Sequence, residues 1–348
     1  MVAGSSSIVP PGGRILITGV NGFLASHLAL VLLKRGYGVR GTVRSADKAD
    51  WIKAAISQRE LGDRFEVEVV PDLSVAGALD DLVQDVDGIA HVAADTTFGC
   101  DPNKIITPLV EAMRNILTSA SKAQSIQRFV LTSSAMSAIS PQPGKKIFVD
   151  SNTWNDASLE PAWAPPPYEP ERAWDVYAAL KMTCEREFWR FGQEQGVSFV
   201  RNSVLPDFII GPLLYAKQTG SSNRLVKEFF DDPNVSEPLR TFIPRQYVDV
   251  KDVALLHMAA LTEEDVKNER LLAHAGPFNF NSWLSAFRQI DPSKAWPADD
   301  PNQQHDCSII DTRRSEEILK RYGQIGFTPF LDSVRSNCLD SHPEWKRS

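Results

Sequence analysis

The run Ile15-Leu16-Ile17-Thr18-Gly19-Val20-Asn21-Gly22-Phe23-Leu24-Ala25 constrains the fold more than any other stretch of the chain. An apolar segment ends in a glycine turn, and an amphipathic helix comes at once after it. That is the order of a first strand–turn–helix unit built around the pyrophosphate of a dinucleotide. Gly19 permits the tight turn, and Gly22 leaves main-chain N–H groups open to phosphate oxygens. The helix that starts there adds the positive end of its dipole. Asn21, Phe23 and Leu24 complete the cofactor turn, and small Ala25 lets helix and strand pack closely. The spacing G-x-x-G-x-x-A departs from G-x-G-x-x-G in its first gap and in its last residue, so alone it also suits an ordinary strand-to-helix turn. Its place in the first strand–helix pair, where a dinucleotide fold needs it, favours the cofactor reading.

A chain of 348 residues, 43% hydrophobic, can bury one large core or two unequal ones. Its formal net charge of −7 argues against nucleic acid as a partner. Cys100, Cys184, Cys307 and Cys338 lie far apart, as expected of reduced thiols in the cytoplasm. The histidines show no ligand spacing, so no metal is expected. Met1–Gly13 lacks the charged and apolar regions of a signal peptide and reads as a loose extension. Runs such as Leu28–Leu33 are too short to cross a bilayer.

Strand and helix patterns alternate through the first two thirds. Strands are expected at 15–18, 38–43, 65–70, 88–93, 128–132 and 197–204. Helices are expected at 22–34, 46–58, 75–83, 104–122 and 173–193. Apolar strands separated by helices imply an α/β, doubly wound parallel sheet, a Rossmann fold. The cofactor domain is placed at 13–205, with a strand and helix at 246–262 returning to it. Beyond Leu205, prolines and aromatics dominate, and 206–348 reads as a smaller substrate domain over the sheet's carboxyl edge.

The second strand ends at Val43-Arg44-Ser45. An acidic residue there would accept ribose hydroxyls, whereas the Arg44 guanidinium suits a ribose phosphate, with Lys48 one turn on. This points to NADP(H). The alternative is that Arg44 and Lys48 are solvated charges and Asp47 serves NAD. Asp72-Leu73, at the carboxyl edge, could contact adenine, and Asp72 could equally cap the next helix. Val92, Ala93 and Ala94 lie beside the expected cofactor path. His91 is expected to be packed and hydrogen-bonded.

Catalysis is expected from Tyr177 and Lys181 with Ser133 or Ser134. The serines end the fifth strand, and the i,i+4 spacing puts Tyr177 and Lys181 on one helix face. An ammonium beside a phenol favours proton exchange with a carbonyl oxygen near neutral pH. A serine hydroxyl on the same oxygen stabilises the charge that develops there. Tyr247 and Lys251 repeat the spacing on an expected strand without a serine-bearing strand before them, so Tyr247 reads as packing or pocket wall.

With these residues assembled, the chain resembles the extended branch of the short-chain dehydrogenase/reductase superfamily. It is most similar to fungal NADPH-dependent aldehyde and carbonyl reductases and plant dihydroflavonol reductases. The matching stretches are Thr18–Ala25, Gly36–Arg44, Phe129–Ala135, Val176–Lys181, Leu205-Pro206 with Ile210-Gly211, Gln246-Tyr247, Phe287-Arg288 and Trp296–Asp299. The resemblance implies Ser134 as the catalytic serine rather than Ser133, Tyr177 as the acid, and Lys181 on the nicotinamide ribose. It also brings the main chain of Leu205-Pro206 to the carboxamide. Leu180 replaces a small or hydroxylated residue of many relatives. Asn115 lacks the Gly-Thr that precedes it in them and receives no role.

The expected activity is NADPH-dependent reduction of a small aldehyde or ketone by a monomer or homodimer, with Phe98, Phe208, Ile243, Gln246 and Tyr247 as pocket walls. Two other readings share the scaffold: an NAD-dependent nucleotide-sugar epimerase or dehydratase, and a non-catalytic cofactor sensor.

Overall fold

Alternation within the strands explains the architecture. In the computed structural model, which describes residues 7–94, 97–215, 218 and 221–339, Ile15 and Ile17 enter one apolar core while Leu16 enters another. A strand buried on both faces needs helices on both sides.

The chain runs β1 (Arg14–Ile17), α1 (Phe23–Lys34), β2 (Gly38–Val43), α2 (Asp50–Ser57), β3 (Phe65–Val69), β4 (Gly88–His91) and α3 (Pro102–Lys122). Then come β5 (Arg128–Thr132), β6 (Phe148–Val149), the single turn α4 (Leu159–Ala162), α5 (Ala173–Glu194), β7 (Val200–Pro206) and β8 (Phe208–Ile210). Next are α6 (Ser221–Asp231), the short α7 (Glu237–Arg240), β9 (Arg245–Asp249), α8 (Val250–Thr262), β10 (Arg270–Ala273) and β11 (Gly276–Phe278). The last elements are α9 (Phe280–Ile290), β12 (Ile309–Ile310), α10 (Arg313–Arg321) and α11 (Phe330–Leu339).

Seven strands form one sheet in the order β10-β7-β5-β4-β1-β2-β3, and every neighbouring pair is parallel. Leu28 and Leu32 of α1 and Val253 and Leu256 of α8 cover one face. Met113 and Leu117 of α3 and Phe188 of α5 cover the other, with Leu16, Ile89 and Phe129 beneath them. The doubly wound Rossmann sheet is therefore as expected. Strand order reverses between β1 and β4, where a crevice opens beyond the carboxyl ends.

Three sequence expectations need correction, and one strand was not foreseen. Residues 75–83 are a chain of turns rather than a helix, with Gly77 at φ +79 interrupting the helical path. The strand at 245–249 does not return to the main sheet. It pairs with β8 and β11 in a separate three-stranded sheet, and only α8 of that unit packs on the main one. The seventh strand is β10, a four-residue segment with no pattern long enough to read from sequence. Of the expected loose extension, Met1–Ser6 lies outside the described residues, but Ser7–Gly13 is tied to the fold. Ile8 N–H donates to Thr262 O at 2.9 Å, Val9 is fully buried, and Tyr37 donates to Val9 O at 3.1 Å.

The aromatics of the second half form the core of the layer around β8, β9 and β11. Phe208, Phe229, Phe278, Phe280, Trp283 and Phe287 are all buried there. No helix among the described residues is long and apolar enough to cross a membrane.

Candidate active site

The glycine turn is built as its sequence requires. Gly19 has φ +66, and a Cβ there would stand 3.1 Å from Cβ of Ala93. Its N–H donates to Thr42 Oγ1 at 3.1 Å. Gly22 directly precedes α1, which has neither a side-chain cap nor an acidic residue in its first turn. The first N–H groups of that twelve-residue helix are thus left for an anion. Gly41 on β2 makes room for the turn, because a Cβ there would fall 2.4 Å from Cγ1 of Val20.

The exit of β4 is bent toward the same turn. Thr18 Oγ1 accepts from the N–H groups of Val92 and Ala93, at 3.0 Å each. These groups leave the ladder, and β4 ends at His91 instead of running on to Ala93. His91 Nδ1 lies 2.9 Å from Thr18 Oγ1, and burial lowers its pKa to about 4. It is a neutral, packed histidine, as expected.

A cleft of about 1640 Å³ runs along the carboxyl edge. Its walls bring together Gly19, Asn21, Gly22, Phe23, Leu24, Arg44, Lys48, Asp72, Leu73, Val92, Ala93, Ala94 and Lys181. Ser133 also lines it, whereas Ser134, Tyr177, Leu205 and Pro206 are not among its walls. Leu205 and Pro206 end β7, where Leu205 packs with Ala138, Val149 and Leu272.

At one end the Arg44 side chain is exposed just beyond β2, with no hydrogen bond or ion-pair partner among the described residues. Lys48 lies 3.4 Å from Asp47. Asp72 caps a turn rather than a helix, accepting from Ser74 N–H at 2.8 Å and Ser74 Oγ at 2.6 Å. Those bonds, helped by the charge of Arg44, hold its carboxyl below the ordinary range. Asn115, given no role from sequence, donates from Nδ2 to Ser74 O at 2.7 Å and ties α3 to this turn. One amide on a long helix carries no signal of such a contact.

At the other end, α5 meets the exit of β5. Lys181 Nζ donates to Thr132 O at 3.1 Å. The two serines have different surroundings. Ser133 donates to the buried Glu185 carboxylate at 2.8 Å, so its hydrogen is committed. Ser134 accepts from Met136 N–H at 3.2 Å, and among the described residues its own hydrogen has no acceptor. Tyr177 is half-buried beside Phe98 and Trp174, with ring centroids 5.1 and 6.1 Å away. Phe98 has φ +52, a conformation rarely adopted by a bulky residue and often found at functional sites.

Of the other expected pocket walls, Ile243 is 50% exposed, and Phe208 lies in the aromatic core against Phe242 and Phe278. Gln246 donates to Asp306 Oδ2 at 2.7 Å and borders a separate, much smaller pocket. The Tyr247 hydroxyl donates to Thr328 O at 3.1 Å, and burial pushes its pKa up. Tyr247 is therefore packing. Sequence reasoning missed Trp174 and Phe242, whose rings stand 6.0 Å apart. Trp174 lies one helical turn before Tyr177, a spacing that could have revealed it. Arg245 sits 5.5 Å from the Trp174 ring and pairs with Asp207.

The model of the NAD dependent epimerase/dehydratase family matches residues 15–273. The chain belongs to this family. Within it, the chain is 51% identical over 330 residues to the NAD-dependent epimerase/dehydratase terH of Aspergillus terreus, covering 95% of this chain and 97% of terH. It is 37% identical over 332 residues to Aldehyde reductase 2 of Sporidiobolus salmonicolor, covering 95% of this chain and 96% of the reductase. Its fold is that of the yeast methylglyoxal/isovaleraldehyde reductase Gre2, solved with NADPH, at a TM-score of 0.78 and 24% identity over 93% of this chain and 96% of Gre2. The expected kinship with extended short-chain dehydrogenases/reductases is thus shown.

Proposed function

We propose that this family member is an NADPH-dependent reductase of aldehydes and ketones. The observation that carries the reading is the cleft itself, with Arg44, which has no ion-pair partner among the described residues, at one end and Lys181, one turn from Tyr177, at the other. Relatives named aldehyde reductase, ketoreductase and NADPH-dependent methylglyoxal reductase support it.

The chain's own residues fit a dinucleotide. The turn through Gly19 and Gly22 leaves space for the diphosphate beside the uncapped first N–H groups of α1, and a side chain at Gly19 would crowd Ala93. Arg44, with Lys48 nearby, suits a ribose phosphate. Lys181 would hold the nicotinamide ribose. When bound, the cofactor supplies the hydride. Ser134 donates to the carbonyl oxygen and steadies the negative charge that builds there. Tyr177 gives that oxygen its proton. Lys181, anchored on Thr132 O, keeps a positive charge on the same helix face. Phe98 and Trp174 wall the carbonyl compound and favour an aromatic or branched one.

Arg245, the cation beside these rings, is bound to Asp207, which disfavours a nucleotide-sugar substrate held through its diphosphate. Retention of both Tyr177 and Lys181 disfavours a non-catalytic sensor. In this reading β8, β9 and β11 with α6, α9 and α11 form the substrate side. The four thiols are free, in keeping with a cytoplasmic monomer or homodimer. Oxidation of NADPH and NADH across aromatic aldehydes, β-keto esters and aryl ketones tests the proposal. Turnover with NADPH several-fold faster than with NADH is expected. No turnover, or preference for NADH, overturns it.

A further inference from the structure

Glu185 lies on α5 two turns beyond Tyr177 and is fully buried, yet the proposed reduction makes no use of it. Burial pushes its pKa up, but Arg270 and the surrounding hydroxyls outweigh this and hold it below the ordinary range. It is therefore an ionised carboxylate in the protein interior, and such a group can only accept hydrogen bonds.

Its two oxygens serve different parts of the fold. Oε1 faces the sheet, accepting from Ser203 Oγ of β7 at 2.7 Å and from Arg270 Nε of β10 at 2.8 Å. The Trp189 indole reaches the same oxygen at 3.4 Å. Oε2 faces the loop that leaves β5, accepting from Ser133 Oγ at 2.8 Å and Ser137 Oγ at 2.6 Å. Arg270 Nη2 also touches it at 3.2 Å. Ser137 Oγ lies 2.7 Å from Ser134 O as well, so its one hydrogen is shared between that carbonyl and the carboxylate.

Successive turns of α5 thus grip successive residues of one loop. Lys181 holds the carbonyl of Thr132, and Glu185 holds Ser133 and Ser137. Ser134 lies between these anchors, and in the reductase reading its hydroxyl works together with the Tyr177 phenol. A displacement of the loop by about 1 Å would separate Ser134 from the phenol and cost turnover on the order of a hundredfold.

We propose that Glu185 is a positioning residue: through Oε2 it clamps the Ser133–Ser137 loop to α5 and so sets where the Ser134 hydroxyl stands relative to Tyr177. This rests on the reductase reading.

The test compares two single variants in the full chain, Ser137→Ala and Ser203→Ala. Each removes one hydroxyl from the same carboxylate, but from opposite oxygens. Ser137→Ala also loses the contact with Ser134 O, so Glu185→Gln, which keeps that contact, must speed the exchange as well. Two quantities are read: kcat and KM with NADPH and benzaldehyde, and hydrogen–deuterium exchange over residues 134–139 without cofactor. For Ser137→Ala the expectation is a kcat about tenfold lower, an unchanged KM for NADPH, and exchange about tenfold faster. Ser203→Ala is expected to keep kcat within about twofold and leave that exchange unchanged. Glu185→Gln should lower kcat further, and if it does not fold, the serine pair can still overturn the proposal. Equal effects of the two serine variants overturn the proposal, as does a loss of kcat in Ser137→Ala without faster exchange. A wild-type chain that reduces nothing in the carbonyl panel overturns the reductase reading instead, and the exchange comparison then decides the clamp on its own.

Discussion

A phenol in water gives up its proton near pH 10, so an enzyme that uses one as an acid must place it beside groups that ease the transfer. In the proposed reading that group is Lys181, fixed on Thr132 O at 3.1 Å one turn from Tyr177. Replacing Tyr177 with Phe is expected to lower kcat by about 10²- to 10⁴-fold and leave NADPH affinity within a few-fold. Steady-state kinetics and fluorescence titration check both parts. Substantial residual turnover removes Tyr177 from the acid role. At the other end of the cleft, Arg44→Asp should erode the preference for NADPH over NADH by about tenfold or more, since a charged hydrogen bond contributes roughly 1.5–3 kcal/mol. Equal discrimination in wild type and variant clears Arg44 of that role. Tyr177, Lys181 and Arg44 could be singled out as candidates because local spacing and position on a strand or helix mark them. Glu185 and Asn115 could not, because their hydrogen-bond partners lie on other elements.

Helices and strands were readable where their patterns were long. β2 spans the residues expected, 38–43, and α5 differs from expectation by one residue at its end. Short or glycine-broken segments were not: residues 75–83 carry apolar residues at helical spacing, but Gly77 at φ +79 turns the chain aside. The close approach of β2 to the cofactor turn was also hidden, because Gly41 matters only through Val20. A Gly41→Ala substitution places a Cβ 2.4 Å from Val20 Cγ1, and such overpacking should destabilise the chain by about 1–3 kcal/mol. Urea denaturation measures this, and a variant as stable as the wild type would show that the turn can yield.

Across the whole molecule, buried histidines set the response to acid. His27, His91 and His257 are each lowered by burial from 6.5 to about 4. Between these values the unfolded chain binds more protons than the folded one, so stability present above pH 6.5 is lost as pH falls toward 4. Each histidine contributes roughly 3 kcal/mol to that loss. Asp249 works in the opposite sense. Burial raises its carboxyl from 3.8 to about 6, so the folded form holds the extra proton and gains stability as pH falls through that window. One carboxyl of similar magnitude offsets only one of the three imidazoles. The urea midpoint should therefore be clearly lower at pH 5 than at pH 7.5, and an unchanged midpoint would mean that these rings are not held neutral by the fold.

The sequence alone determined the doubly wound sheet, the glycine turn and the Tyr177–Lys181 face, because each comes from the period of a strand or helix and the few residues beside it. Tertiary structure decided what depends on distant segments meeting. It seated β10 at the edge of the main sheet and placed the strand at 245–249 in a second one. It committed Ser133 to Glu185 while leaving the Ser134 hydrogen without a described acceptor, and it made Trp174 rather than Gln246 a neighbour of Tyr177. The strand periodicity that declares a buried face does not say which segment will cover it. A hydroxyl's role is fixed only when the group opposite, here a carboxylate from another element, is in place.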